Sequence, residues 1–138
     1  MPVSALPASL DGLKLRAELA SALNAGGWDS LPARNAALGK LRAALAAGRE
    51  QAFARIQGSS GGLEAARFLS SVANSVLIAL FAALEAEDEE GAAQVALCAI
   101  GGYGAGELAP GSDIDLLFVK ADDAGAAADR FIETAIMA

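Results

Sequence analysis

Residues 100–119 read IGGYGAGELAPGSDIDLLFV. An apolar run enters a glycine-rich loop, a turn follows, and a second apolar run opens with two aspartates. In an extended strand, side chains at i and i+2 project from the same face, about 7 Å apart at the backbone. Asp113 and Asp115 are therefore expected to converge on one site while Ile114 turns to the core. Two carboxylates held in this way suit Mg²⁺, a hard cation that keeps waters and takes substrate phosphates for its remaining positions. Gly101 and Gly102 follow directly on the first strand and let the backbone approach a ligand closely. Their amides, with the hydroxyl of Ser112, form a candidate cradle for the outer phosphates of a nucleotide. A phosphate cradle beside paired carboxylates points to nucleotidyl transfer, in which bound metal neutralises the triphosphate and stabilises the leaving pyrophosphate.

Other glycine-loop chemistries fail on the letters. A P-loop needs Gly-Lys-Ser/Thr after its spacing, and Glu107 stands where the lysine belongs. A dinucleotide fingerprint starting at Gly102 needs its third glycine at 107, which is again Glu107. An EF-hand loop starting at Asp113 would have Leu117 at a ligand position and Phe118 at the glycine.

Working outward, residues 94–100 (QVALCAI) and 114–119 (IDLLFV) both read as core strands of a covered sheet. Residues 122–138 return to an alanine-rich helical pattern around Phe131, Ile132 and Ile136, with no cap at the last residue. Upstream, the pattern is helical. Residues 10–23 carry Leu13, Leu19 and Leu23 and stop at Gly26-Gly27, after a loose tail at 1–7. A turn is expected at 28–32 and a second helix at 35–56, on Leu38, Leu41, Leu45, Phe53 and Ile56. Residues 58–62 break it, and a third helix is expected at 63–87.

The third helix has no charge between Phe68 and Leu84. That length is at the lower limit for crossing a bilayer, and Ser71, Asn74 and Ser75 give one side a polar stripe. Helix pairing inside a protein is the reading, and no membrane partner is expected. Residues 88–91 form an acidic, exposed break. The fold class is α+β: a helical N-terminal region at 1–90, then the first strands of a second domain at 91–138, left incomplete.

The bulk numbers narrow the chemistry. With 138 residues the chain is one modest domain in size, and with 5% aromatics its core rests on Leu, Val, Ile and Ala. A formal net charge of −7 repels phosphate backbones, so nucleic acid is not an expected partner. Nucleotide binding survives that argument, because a metal ion reverses the local sign. The single cysteine, Cys98, allows no disulfide within the chain and reads as a small core residue; a reducing cytoplasm fits. No secretory signal is expected at the beginning. There is no histidine, which excludes histidine-based triads, imidazole-bound zinc and histidine–aspartate phosphohydrolase sites.

Ile100-Gly101-Gly102, ten intervening residues and Asp113-Ile114-Asp115 resemble the signature of the nucleotidyltransferase superfamily related to DNA polymerase beta. Within it, GGYG-x-GELxPxSDIDLL closely resembles the PII uridylyltransferase family, and the preceding helices are similar to that family's N-terminal segment. The related glutamine synthetase adenylyltransferases carry a Gly-Arg-Glu-Leu element that is missing here. The resemblance implies that Gly101 and Gly102 contact the triphosphate of UTP. It implies that Asp113 and Asp115 bind the catalytic Mg²⁺, and that Ser112 supports the phosphates or the metal-site loop. The implied reaction moves UMP from UTP to a tyrosine hydroxyl of the PII signalling protein. Removal of that UMP, and sensing of glutamine as effector, belong to further domains of the family that this sequence does not contain.

Two departures stand against the family pattern. Ala105 occupies a position where the family usually has arginine, and a lost guanidinium near a triphosphate removes a contact worth roughly a few kcal/mol. The superfamily's third carboxylate lies on a later strand, past Ala138. This chain is therefore expected to be an inactive fragment of the enzyme. The alternative is a non-catalytic module that binds PII or a full-length homologue. Tyr103 reads as a structural aromatic at the loop base or a stacking partner for a base, Glu107 as loop-fixing or solvated, and Trp28 as a packing residue.

Overall fold

In the computed structural model, which describes residues 12–58 and 61–138, Leu15, Leu19 and Leu23 recur every four residues and are buried along one face of α1 (Gly12–Leu23). Leu13 is 75% exposed, because two positions from Leu15 is more than half a turn around a helix. The expected tail at 1–7, the helix start at Leu10 and the serines of the 58–62 break lie outside the described residues.

The second helix, α2 (Leu31–Gln57), starts earlier than the apolar periodicity predicts. Pro32 sits in its first turn, where a missing N–H costs nothing, so the helix absorbs part of the expected turn. Its buried face is built largely of small residues, including Ala33, Ala37, Gly48 and Ala52, while Phe53 and Ile56 are exposed. Those two were expected inside. The small face is what lets α3 (Gly62–Glu85) come close: a Cβ on Gly48 would lie 2.4 Å from Val72 Cγ1.

Helix α3 is long and apolar enough to cross a bilayer. It packs against both α1 and α2, burying Phe68, Leu69, Val72, Val76 and Leu84 among others. Trp28 fixes the hinge between α1 and α2 onto the far end of α3. Its backbone N–H donates to the Glu87 carboxylate at 3.1 Å, its indole N–H to Ala83 O at 3.3 Å, and its ring is buried as expected.

A single turn, α4 (Glu89–Ala92), follows, with Asp88 accepting from the Gly91 N–H at 2.8 Å. Gly91 is buried against Ala127 and Phe131, so the acidic break is anchored at its end and not wholly exposed. Strands β1 (Val95–Ala99) and β2 (Leu116–Lys120) then pair antiparallel, with Leu97 opposite Phe118 and Ala99 opposite Leu116. Between them lies one further turn, α5 (Gly101–Gly104). Last comes α6 (Ala126–Met137), whose Phe131 meets Phe81 of α3 edge-to-face, centroids 5.3 Å apart.

The fold is α+β, with two differences from the sequence expectation. The second strand begins at Leu116, not at 114, so the aspartates sit just ahead of the ladder. The sheet is covered on one face only: Val95, Leu97, Leu116 and Phe118 turn to the helices, while Leu117 and Val119 are exposed. Two strands cannot bury both faces, and the described helices reach one of them. Packing also crosses residue 90, since Val76 and Leu84 share a core with Val95 and Phe131.

Candidate functional site

The site grows from the end of the hairpin ladder. Past the last β1–β2 pair, the Ile100 N–H still donates to Asp115 O at 3.1 Å, which sets Asp115 beside the start of the glycine segment. The chain then turns sharply. Gly101 takes φ +62°, and a Cβ there would lie 2.9 Å from Asp115 Oδ2, so only glycine fits both the backbone and the carboxylate. The glycine loop of the sequence is thus one helical turn, closed by Gly104 N–H to Ile100 O and Ala105 N–H to Gly101 O. Among the described residues, the Gly101 and Gly102 N–H groups have no acceptor.

The return passes through a turn in which the Ser112 N–H donates to Ala109 O at 3.0 Å. This brings Gly102, Glu107, Ser112, Asp113 and Asp115 around one open, polar cleft of about 500 Å³. Both aspartates are exposed, and their donor set with Ser112 is all oxygen. Among the described residues, no group of three or more His, Cys, Asp or Glu side chains comes together. Two carboxylates in an open cleft fit Mg²⁺, which keeps waters and needs few protein ligands. They do not fit a closed, all-protein metal cage.

Tyr103 is not free to stack on a base. Its ring is buried, and its hydroxyl donates to Asn74 Oδ1 at 2.6 Å. Burial raises the phenol's pKa above its ordinary value of 10.0. Glu107, expected to be loop-fixing or solvated, is about half exposed and pairs with Arg67 at 3.5 Å, a solvated pair that contributes little stability. Ala105 is exposed and does not line the cleft.

The sequence reading missed Ser70. Its hydroxyl accepts from the Leu108 N–H at 2.8 Å, inside the core. The expected stripe of Ser71, Asn74 and Ser75 is the more open side of α3, between buried Val72, Ala73 and Val76; Ser71 and Ser75 bond back to carbonyls of their own helix, Phe68 O and Ser71 O. A second cleft, about 470 Å³, lies between α3 and the sheet. It is lined mainly by apolar groups such as Leu77, Phe81, Leu97 and Leu116, with no converging carboxylates.

Over 129 residues, 90% of its length, the chain is 43% identical to the bifunctional uridylyltransferase/uridylyl-removing enzyme of Phenylobacterium zucineum (strain HLK1). The chain is homologous to a segment of that enzyme family. Uridylyltransferase/uridylyl-removing enzymes of two Caulobacter vibrioides strains match it at 37% identity over 116 residues, 80% of the chain. The chain spans only 14% of the Phenylobacterium uridylyltransferase and 12% of the Caulobacter ones. No protein-family model matches the chain, and no solved structure does.

Proposed function

We propose that residues 100–119 form the triphosphate- and metal-binding half of a uridylyl-transfer site, within a polymerase-beta-like nucleotidyltransferase domain that opens at residue 91. The helical region at 1–90 is its support. The observation that carries the reading is the convergence of Gly102, Ser112, Asp113 and Asp115 on one polar cleft, with Asp115 against Gly101. The amides of Gly101 and Gly102, without an acceptor among the described residues, would receive phosphate oxygens.

Asp113 and Asp115 would hold Mg²⁺, which when bound supplies neutralisation of the triphosphate charge. In the transfer, the phenolic oxygen of a PII tyrosine forms a bond to the α-phosphorus of UTP. The bond from that phosphorus to the bridging oxygen breaks, pyrophosphate leaves with the electron pair, and the phenolic proton passes to water. The relatives' names carry the uridylyl specificity, and the single cysteine fits a cytoplasmic setting.

With two metal-binding carboxylates, the 138 residues alone bind MgUTP but do not transfer UMP. Titration calorimetry with MgUTP is the test, run beside an Asp113→Asn/Asp115→Asn variant. Binding lost in the variant supports the site, and binding unaffected by it, or absent throughout, sinks it. Mg²⁺-dependent labelling of PII by the chain, abolished in the variant, would overturn its inactivity.

A further inference from the structure

Three side chains of α3 reach the glycine segment. Arg67 pairs with Glu107, Ser70 accepts from the Leu108 N–H, and Asn74 accepts from the Tyr103 hydroxyl. Spacings of three and seven residues put all three on one face of the helix. The contacts bracket the loop, one at its first turn and two where it heads toward Ser112.

Their environments differ. Ser70 is 4% exposed, in a helix otherwise buried through apolar groups. A hydroxyl in such a place costs free energy unless it is bonded, and the amide of Leu108 supplies that bond. Leu108, 2% exposed, then plugs into the same cluster as Leu69, Val72 and Tyr103. Tyr103 and Leu108 also line the polar cleft, so their seating sets where the cleft wall stands. Arg67 and Glu107 are solvated and add little.

We infer that Ser70 and Asn74 are positioning residues for the nucleotide cleft: α3 holds Tyr103 and Leu108 so that Gly101 and Gly102 present their amides to the phosphates. This rests on the nucleotide reading of the cleft given above. It assigns the helical region a part in substrate binding, through hydrogen bonds that cross from one segment of the chain to the other.

The test uses the ¹⁵N-labelled 138-residue chain titrated with MgUTP and followed by amide resonances and hydrogen exchange. In the unaltered chain the Gly101 and Gly102 resonances shift on binding. Ser70→Ala and Asn74→Leu are each expected to weaken MgUTP about tenfold, the worth of one hydrogen bond, and to speed exchange of the loop amides. Asn74→Asp keeps an acceptor for the phenol and is expected to restore the affinity while moving the Tyr103 titration to higher pH. Tyr103→Phe, which keeps the packed ring, serves if a helix variant fails to fold, and is expected to weaken MgUTP as Asn74→Leu does. Folded variants that bind MgUTP as tightly as the unaltered chain overturn the positioning role alone. An unaltered chain whose Gly101 and Gly102 resonances do not respond to MgUTP overturns the nucleotide reading, and this inference with it.

Discussion

Gly101 packs against Asp115 of the cleft lining: a Cβ on the glycine would lie 2.9 Å from the carboxylate Oδ2. The backbone there is left-handed, at φ +62°, which costs an L-residue roughly 1–2 kcal/mol. Gly101→Ala is expected to lower stability by about that amount and to push the Asp115 carboxylate aside. MgUTP affinity should fall by more than the thermal midpoint suggests, since the displaced carboxylate is a metal ligand in the proposed site. Calorimetry and a thermal melt on the same sample check this. Unchanged affinity would detach Asp115 from nucleotide binding.

At Gly48 the backbone of α2 lies close against Val72 of α3. Alanine is the better helix former by about 1 kcal/mol, but its methyl would lie 2.4 Å from Val72 Cγ1. Val72 is wholly buried and β-branched, so it cannot rotate away cheaply. Overpacking of this kind costs about 1–3 kcal/mol, so Gly48→Ala should be a net loss, read as a lower urea midpoint. A gain in stability would mean that the two helices separate easily.

Tyr103 is the single tyrosine of the chain, so phenolate absorbance reports it alone. Burial raises its pKa in the folded state above the ordinary 10.0. The folded form therefore holds the proton more tightly than the unfolded form. Stability is fully present below pH 10 and is lost as pH climbs through the raised value. The urea midpoint should fall above pH 10 in the unaltered chain and fall less in Tyr103→Phe. Equal falls would place the phenol in contact with water.

Ala105 is exposed, just past the turn that carries the glycines. A guanidinium introduced there leaves the core undisturbed, and because position 105 lies outside the cleft lining the long side chain has to extend over the rim to meet a bound triphosphate. Ala105→Arg is expected to tighten MgUTP up to about tenfold, the scale of one charge-assisted hydrogen bond in a partly solvated place. The gain should shrink with added salt. Affinity that stays the same would show that position 105 faces away from the nucleotide.

The sequence by itself determined the family resemblance and the order of the three long helices, the two strands and the last helix, while the single turns α4 and α5 read only as an acidic break and a glycine loop. Glycine pair, turn and Asp-x-Asp depend on local geometry, and a hairpin returning to its own start brings Asp115 back to Gly101 whatever surrounds it. Helix boundaries near Leu23, Gln57 and Glu85 were legible for the same reason, since glycines and charges interrupt the apolar period locally. What only the tertiary structure decided was which faces are buried. In an alanine-rich chain the periodicity is weak, because alanine gains little from burial and is at ease outside. Close helix approach then selects small residues: Gly48 and Ala52 went inside and Phe53 and Ile56 out. The same packing buried Ser70 beside the more open stripe of Ser71, Asn74 and Ser75, a polar residue placed inside that no local pattern encodes. It also left Leu117 and Val119 uncovered, because coverage of a sheet depends on how many layers pack on it and not on the strand's own letters.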